Sequence, residues 1–201
     1  MAGEALRLVN GGALSAIVGT MARVPPASPG RLTAYHHVVQ RLWQVRPAIL
    51  PVRYGSLMER DELTFILHSR RQSLSRALAA VRGRAQMNVR LIDPVEPASG
   101  VPALFRPSRL SGAAYLRSRA DEAARARHVR AFDPLAPAVR RWVRGERVER
   151  RGQVATVYHL VPRRSADAYH RALAKAAADA GVRALITGPF APFAFADERL
   201  A

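Results

Sequence analysis

The sequence predicts an α+β fold in two domains, followed by a C-terminal tail rich in phenylalanine and proline. Residues 1–93 combine strand-like alternation of apolar residues with two helical patterns. Residues 94–110 predict a linker, because that stretch contains Pro94, Pro97, Gly100, Pro102 and Pro107. Residues 111–201 again mix helix and strand patterns. We therefore expect a second domain there, with a connecting helix at its start and the tail at its end.

The first domain begins with a predicted β-hairpin. The apolar runs EALRLV and ALSAIVG are separated by Asn10-Gly11-Gly12, a strong turn signal. From Thr33 to Pro47, apolar residues recur at helical spacing, at Tyr35, Val38, Val39, Leu42, Trp43 and Val45. The segment AILPV, residues 48–52, then predicts a short buried strand, with Pro51 favouring an edge or a bulge.

A long helix and a strand complete the predicted first domain. Ser56 and Glu59 match a capping box, and Gly83 supplies a stop signal at the other end. The apolar face of this helix consists of Leu63, Ile66, Leu67, Leu74, Leu78 and Val81. Residues 85–92, AQMNVRLI, return to the alternation of a strand. We expect one sheet with helices on one side.

The second domain has the same mixture of elements. Residues 111–132 consist of good helix formers, and a short helical segment reaches Val143. Residues 146–161 predict two strands that turn near Arg151-Gly152. Ser165 is placed to cap a helix that Gly181 closes, and VRALIT, residues 182–187, predicts the last strand.

The formal net charge of +17 permits an anionic partner but does not require one. Residues 1–93 carry 13 Arg and 5 acidic residues, and residues 94–201 carry 19 Lys or Arg and 10 acidic residues. Because the excess is spread along the chain, a solvated surface explains it as well as a basic docking face does. The chain has no cysteine, no secretory signal pattern and no apolar run long enough to span a membrane, so we expect a cytosolic protein.

The sequence offers no catalytic or metal-binding pattern. The histidines His36, His37, His68, His128, His159 and His170 contain no H-x-x-x-H pair, and we expect each to be bonded locally on a helix surface or half-buried. Asp167 and His170 lie one helical turn apart without an obvious nucleophile. The nucleotide-binding and hydrolase motifs with glycine at fixed spacing are absent. We expect no enzyme activity, no cofactor and no metal.

Five ordered segments resemble the gas vesicle protein F/L family. They are YHHVVQRLWQVRPAILPVRYGSLMERDEL, GRAQMNVRLI, SGAAYLRSR, VATVYHLVP and LITGPFAPFAF, the last being similar to the C-terminal GPWPPYxF signature of that family. The resemblance extends from about residue 13 to residue 196. The chain departs from the signature at Phe190, Ala191 and Phe193, where the family commonly has Trp, Pro and Tyr, and Gln86-Met87 replaces a Glu-Trp pair.

The resemblance implies a non-enzymatic accessory protein of gas vesicles, with two α+β domains of which the second is ferredoxin-like. Such a protein would bind the small hydrophobic shell protein, and further accessory proteins are possible partners. An apolar groove or an open sheet edge would cover a subunit that aggregates in water. We take Phe190, Phe193, Phe195, Arg53 and Tyr54 as candidate partner-binding residues.

Two alternatives stay open from the sequence. The first is that the protein is a basic nucleic-acid-binding module, which the scarcity of aromatic residues on the predicted strands disfavours. The second concerns the tail: Pro192 biases Ala191 to an extended or polyproline-like conformation, so Phe190 and Phe193 should point the same way. These two rings then either close the core of their own domain or also contact the partner.

Overall fold

The computed structural model describes residues 5–93 and 128–196, which form five helices and two sheets. The predicted α+β class is confirmed. By their contacts the residues group into two compact units, Met1–Gln86 with Pro189–Ala201, and Met87–Gly188. The predicted linker 94–110 and residues 111–127 of the predicted connecting helix lie outside the described residues. The domain limits expected from the sequence therefore remain a prediction.

The first unit begins with the hairpin that the sequence predicts. Strands β1 (Arg7–Gly11) and β2 (Leu14–Val18) pair antiparallel with Gly11 opposite Leu14, so Gly12 and Ala13 form the turn. Gly12 has φ 75°, a conformation that suits glycine. Gly11 is required for another reason. A Cβ atom added there would lie 2.4 Å from Cβ of Leu67, so the strand approaches its neighbour more closely than a side chain permits.

Helix α1 (Pro29–Val45) begins before the predicted start at Thr33. Ser28 is its N-cap, with its hydroxyl accepting from the backbone N–H of Arg31 at 3.4 Å, and Pro29 stands in the first turn, where a missing N–H costs nothing. The helix buries Val39 and Trp43. Because the Trp43 Nε1–H donates to the carbonyl of Arg84 at 3.2 Å, α1 is fixed to the start of the third strand.

The predicted strand at residues 48–52 is wrong, because this segment is irregular. Carbonyls at its two ends bond to other elements: that of Pro47, just before the segment, accepts from Gly83 N–H at 2.9 Å, and that of Val52 accepts from the hydroxyl of Tyr35. Pro51 has no N–H with which to join a ladder. These bonds hold the segment in place without a sheet.

The predicted long helix is two helices, α2 (Arg60–Ser69) and α3 (Arg71–Val81). The predicted capping box is also wrong, because Glu59 is the N-cap and Ser56 belongs to a turn in which its N–H donates to the carbonyl of Arg53. The break falls at Arg70, with φ −102° and ψ 14°. There the hydroxyl of Ser73 bonds the carbonyl of Arg70 at 2.9 Å, a local bond that competes with helix continuation. Gly83, with φ 65°, follows α3 as predicted.

The second sheet has the strand order β4-β5-β3-β6. Its strands are β3 (Arg84–Ile92), β4 (Gly145–Arg151), β5 (Val154–Pro162) and β6 (Ala184–Phe190). The expectation of one sheet for residues 1–93 is therefore wrong, because the hairpin pairs only with itself and β3 joins the later strands. Successive residues of β3 are buried at Ala85, Gln86 and Met87, as is typical of a strand covered on both faces.

From Pro134 onward the second unit follows the predicted order of elements, whereas residues 128–132, predicted to end the connecting helix, contain a 3-10 turn instead of α-helix. Arg151 pairs with Val154 around a turn in which Gly152 has φ 59°. Helix α4 (Ala136–Val139) precedes β4, and helix α5 (Ala166–Asp179) packs on the sheet by burying Tyr169 and Leu173. Single 3-10 turns lie at Arg130–Phe132, Arg140–Trp142 and Arg163–Ser165. Ser165 stands at the N-cap of α5, but its side chain makes no capping bond, since the preceding 3-10 turn sets its backbone.

Asp93 joins the two ends of chain that flank residues 94–127. Its Oδ2 lies 2.7 Å from Nη1 of Arg150, and its Oδ1 accepts from the backbone N–H of Ala131 at 3.0 Å. Arg150 also donates through Nη2 to the carbonyl of His128. Because the Asp93 side chain is only 6% exposed, this ion pair is little screened by solvent and fixes the flanks of the segment to β4.

Candidate functional site

The C-terminal tail leaves the sheet later than the sequence predicts. Strand β6 continues through Gly188 and Pro189 to Phe190, so the expected exit at Thr187 is wrong. Pro192 has φ −79° and ψ 60°, and Phe193 N–H donates to the carbonyl of Ala191 at 2.8 Å, which together form an inverse γ-turn. A 3-10 turn, Phe193–Phe195, follows. The expected polyproline-like path is thus replaced by two tight turns.

Five rings form a continuous row on the first unit, which we call the aromatic row: Phe190, His36, Phe193, Tyr35 and Tyr54. The ring of His36 meets Phe190 edge-on at 5.6 Å between centroids and stacks on Phe193 at 5.5 Å. Tyr35 contacts Phe193 at 6.4 Å and Tyr54 at 5.6 Å, both edge-on. Phe190 and Phe193 therefore point the same way, as the sequence predicts.

Two glutamine side chains hold the tail at its backbone. Gln40 lies one turn after His36 on α1; its Nε2 donates to the carbonyl of Pro189 at 3.1 Å and its Oε1 accepts from Ala191 N–H at 3.0 Å. Gln86 is 3% exposed and accepts from Ala194 N–H at 2.7 Å through Oε1. Ala191 and Pro192 are buried between these two attachment points. The rings on either side are thereby kept at half-buried positions on the surface.

The other end of the aromatic row lies in the turn after the irregular segment. Burial raises the pKa of Tyr35 to about 12, and its hydroxyl is bonded to Val52 as described above. The Tyr54 hydroxyl oxygen is also buried, yet no described residue offers it a hydrogen bond. Gly55 follows with φ 89°, and a Cβ atom there would lie 3.2 Å from Cγ1 of Val24. The structure thus places Val24 directly beside the tyrosine end of the row.

The five candidate residues from the sequence fall into two groups. Phe190, Phe193 and Tyr54 are brought together in the aromatic row. Arg53 is exposed beside Tyr54 rather than leaving a buried strand, and Phe195 is half-buried in the 3-10 turn. The residues that connect the row, Tyr35 and His36, were not among the candidates, nor were the two glutamines. Among these four missed residues, the sequence links His36 with Gln40, because a spacing of four residues places both on one helix face.

His68 and His128 are bonded locally, as the sequence predicts. Nδ1 of His68 lies 2.9 Å from the carbonyl of Thr64, and Nε2 of His128 lies 2.8 Å from Oδ1 of Asp133. No group of three or more His, Cys, Asp or Glu residues that could hold a metal ion occurs within 5–93 and 128–196. None of the helices in those ranges is long and apolar enough to cross a membrane.

His159 is the exception in being fully buried, at 1% exposure. Its Nε2 lies 2.8 Å from Oε2 of Glu146, and its Nδ1 lies 2.6 Å from the hydroxyl oxygen of Tyr169. A carboxylate only accepts, so Nε2–H donates to Glu146, and in the neutral imidazole Nδ1 then accepts the Tyr169 O–H. The bond from His159 lowers the pKa of Glu146 against the opposing effect of burial, and burial raises the pKa of Tyr169. This chain of bonds ties β4 and β5 to α5.

Comparison with known proteins agrees with the fold. A family model described as gas vesicle synthesis protein GvpL/GvpF matches residues 1–197. The crystal structure of gas vesicle protein GvpF from Microcystis aeruginosa superposes with a TM-score of 0.72 at 11% identity, covering 98% of this chain and 90% of that one. The GvpF structure from Anabaena sp. PCC7120 gives a TM-score of 0.63 at 14% identity, covering 96% and 88%. Among curated proteins, none is similar enough in sequence to match.

Proposed function

Because the chain belongs to the GvpL/GvpF family of gas vesicle synthesis proteins, we propose that it is an accessory or minor structural protein that binds the hydrophobic shell protein and supports vesicle assembly. The aromatic row carries this proposal. A subunit that exposes an apolar face to gas aggregates in water unless another apolar surface covers it. Half-buried rings held by two glutamines provide such a surface in a fixed conformation, which lowers the entropic cost of binding.

Exposed aliphatic residues extend the apolar surface beyond the row. Val24, Val52 and Leu57 are 46%, 40% and 52% exposed, and all three lie in the loops around Tyr54 and Gly55. Val24 is adjacent to Gly55, as described above. Arg53 stands within this group and supplies a charge that suits a carboxylate at the edge of the partner. The apolar surface at this end of the row is thus larger than the rings alone.

The test is a paired substitution, Phe190→Ala with Phe193→Ala, in the full chain. We expect it to lose most of the binding to the shell protein, because complete burial of one phenylalanine contributes about 1.5–3 kcal/mol. Binding is measured by co-purification of the two proteins after co-expression. Thermal unfolding of the variant alone is measured beside it, because the rings also pack on His36.

Phe65→Ala is the matched control. This phenylalanine is 70% exposed on α2, so its removal deletes the same side chain at little cost in packing. The proposal requires the double variant to remain folded and bind poorly while the control binds normally. A folded double variant with normal binding would show that the tail only closes the core of its own unit.

The finer parts of the proposal concern architecture and location. We place an N-terminal α+β domain at 1–93, a linker at 94–110 and a ferredoxin-like domain with connecting helix and tail at 111–201. The order β4-β5-β3-β6 supports the ferredoxin-like arrangement, in which the first and third strands of the motif are central. The protein would act in the cytoplasm and on the gas vesicle, without enzyme activity or cofactor, alongside other accessory proteins. The family match gives no support to the nucleic-acid-binding alternative.

A further inference from the structure

One face of the four-stranded sheet in the second unit is turned away from α5. In the β4–β5 register, Arg151 pairs with Val154, Glu149 with Thr156, and Arg147 with Tyr158. Because side chains alternate along a strand, these six residues share one face, which we call the open face. The bond from Tyr158 to Glu149 at 2.9 Å agrees with this placement. The opposite face carries His159, whose bond to Tyr169 belongs to the packing of α5.

Strand β3 adds Arg90 and Ile92 to the open face. Both are exposed, whereas Val89 and Leu91, which alternate with them, are buried. Burial and Glu149 raise the pKa of Tyr158 to about 12, and the charges of Arg90 and Arg151 oppose this rise. Asp93 N–H donates to the carbonyl of Gln153 at 2.8 Å, so the end of β3 lies beside the start of β5.

The open face combines positive charge with exposed aliphatic surface. Ile92 is 62% exposed and Val154 is 36% exposed, although β3 and β5 are the two central strands of the sheet. Arg90 and Arg151 lie on this face together with Glu149, so among these described residues positive charge exceeds negative charge. A central strand that leaves an isoleucine in water forgoes about 1.5–3 kcal/mol of burial, which a partner covering it would recover.

We propose that the open face is a docking surface for an acidic segment of a partner protein that also carries aliphatic side chains. Guanidinium groups bind carboxylates through two parallel hydrogen bonds, and Ile92 and Val154 accept aliphatic side chains between those bonds. A nucleic acid fits less well. Tyr158 on this face is half-buried, whereas sheets that read RNA present exposed stacking rings.

This inference goes beyond shell-protein binding. It concerns the second unit and charged chemistry, whereas the aromatic row belongs to the first unit and is apolar. The probe is a short fluorescent peptide of alternating glutamate and valine, titrated into the full chain and followed by anisotropy. A peptide with lysine in place of glutamate and a single-stranded oligothymidylate serve as comparison probes. We expect the glutamate peptide to bind and its affinity to fall as salt rises.

Arg90→Glu combined with Arg151→Glu should weaken binding of the glutamate peptide at least about tenfold, because like charges then face each other. Arg164→Glu combined with Arg171→Glu changes the net charge equally at two exposed positions away from the open face, and should leave most of the affinity in place. Ile92→Asn changes no charge and should also weaken binding. Because the Ile92 side chain is mostly in solvent, we expect Ile92→Asn to fold. This variant can therefore test the docking surface even if the double charge reversal fails to fold.

Three results would overturn the inference. One is an equal loss of affinity in the two double variants, which would make the attraction a property of the net charge. Another is an unchanged affinity for the glutamate peptide in both variants of the open face, the single variant Ile92→Asn and the double variant Arg90→Glu with Arg151→Glu. The third is that oligothymidylate binds more tightly than the glutamate peptide at physiological salt, and that the Arg90→Glu, Arg151→Glu variant loses this oligothymidylate binding. That result would assign the open face to nucleic acid.

Discussion

Tyr35 and Tyr54, whose rings are in contact within the aromatic row, differ in the hydrogen bonding of their hydroxyls. Tyr35 donates to Val52, whereas the buried Tyr54 hydroxyl receives no bond from any described residue. A made hydrogen bond contributes about 0.5–1.5 kcal/mol, and an unmet buried hydroxyl costs about 1–3 kcal/mol. Tyr35→Phe should therefore lower the free energy of unfolding by about 1 kcal/mol. Tyr54→Phe should leave it unchanged or raise it.

Urea denaturation of these two single variants beside the parent protein checks the prediction. Each variant loses one oxygen and keeps its ring, so the packing of the row is the same in both. A Tyr54→Phe variant that is less stable than Tyr35→Phe would mean that the Tyr54 hydroxyl has a bonding partner after all.

The Glu146 carboxylate should give the protein an acid-sensitive component of stability. Its pKa in the folded state is lowered from the ordinary 4.5 by the bond from His159. A group whose folded pKa is depressed stabilises the fold above its unfolded pKa and loses that contribution as pH falls through the folded pKa. The stability gap between parent and Glu146→Gln should therefore be full above about pH 4.5 and shrink as the solution is acidified further.

Thermal unfolding of both proteins across an acid pH series measures this gap. The slope of stability against pH below about 4.5 should be smaller in the variant, which lacks the titrating carboxylate. Parallel curves over that range would show that the His159 bond does not favour the ionised form of Glu146.

The glutamines of the candidate site could not have been predicted from the sequence. Gln40 and its backbone partners are 149 and 151 residues apart, and Gln86 is 108 residues from Ala194. Sequence patterns report interactions within a turn or along one helix face, and a side chain that binds distant backbone leaves no such pattern. By contrast, the same-side placement of Phe190 and Phe193 agrees with their spacing of three residues, but two tight turns produce it and not the expected polyproline-like path.

At the scale of elements, the packing of the hairpin on α2 depends on one glycine. Gly11→Ala would place a Cβ 2.4 Å from Cβ of Leu67, a contact that forces the hairpin away from the helix. Gly30→Ala meets nothing within 4 Å in the first turn of α1. We expect the first substitution to destabilise the fold by about 1–3 kcal/mol. The second should stabilise it by up to about 1 kcal/mol, because glycine disfavours a helix.

Differential scanning calorimetry of the two variants tests this contrast with the same chemical change at two positions. The expected order of melting temperatures is Gly30→Ala, then the parent, then Gly11→Ala. An unchanged melting temperature in Gly11→Ala would mean that the hairpin moves without cost and contributes little to the first unit.

Elements with local signals were predictable from the sequence, and elements decided by distant contacts were not. The hairpin turn, the glycines that follow α3 and α5, and the β4–β5 turn all depend on nearby residues. The break at Arg70 falls where the apolar face skips one turn, between Leu67 and Leu74, and then resumes in phase, so periodicity alone predicts one helix. Residues 48–52 have the composition of a strand, but distant donors use carbonyls in and next to this segment: Tyr35 bonds that of Val52, and Gly83 bonds that of Pro47.

At the scale of the whole molecule, each unit contains a piece of chain from the far side of residues 94–127. Strand β3 from Met87 onward precedes this segment and belongs to the second unit, and the tail from Pro189 follows it and belongs to the first. A brief protease treatment should cut first within 94–110, which the sequence predicts to be an irregular linker. The two fragments should then elute together from a sizing column and separate only in denaturant.

Mass spectrometry of the digest locates the cut, and gel filtration reports whether the fragments stay together. Fragments that separate under native conditions would show that β3 and the tail are weakly held. A first stable product that ends within residues 57–82 would place the exposed site in the α2–α3 region instead of the predicted linker.

The bonds made by Asp93 mean that continuity of the chain between β3 and the 3-10 turn at Arg130 is not needed to position those two elements. The two chain ends that flank residues 94–127 are already held together by the bonds among Asp93, Arg150 and the backbone of His128 and Ala131. The segment 94–127 is therefore suited to the insertion of another domain. A fluorescent protein inserted there would have both its termini anchored at one place and would report on the location of the protein in the cell.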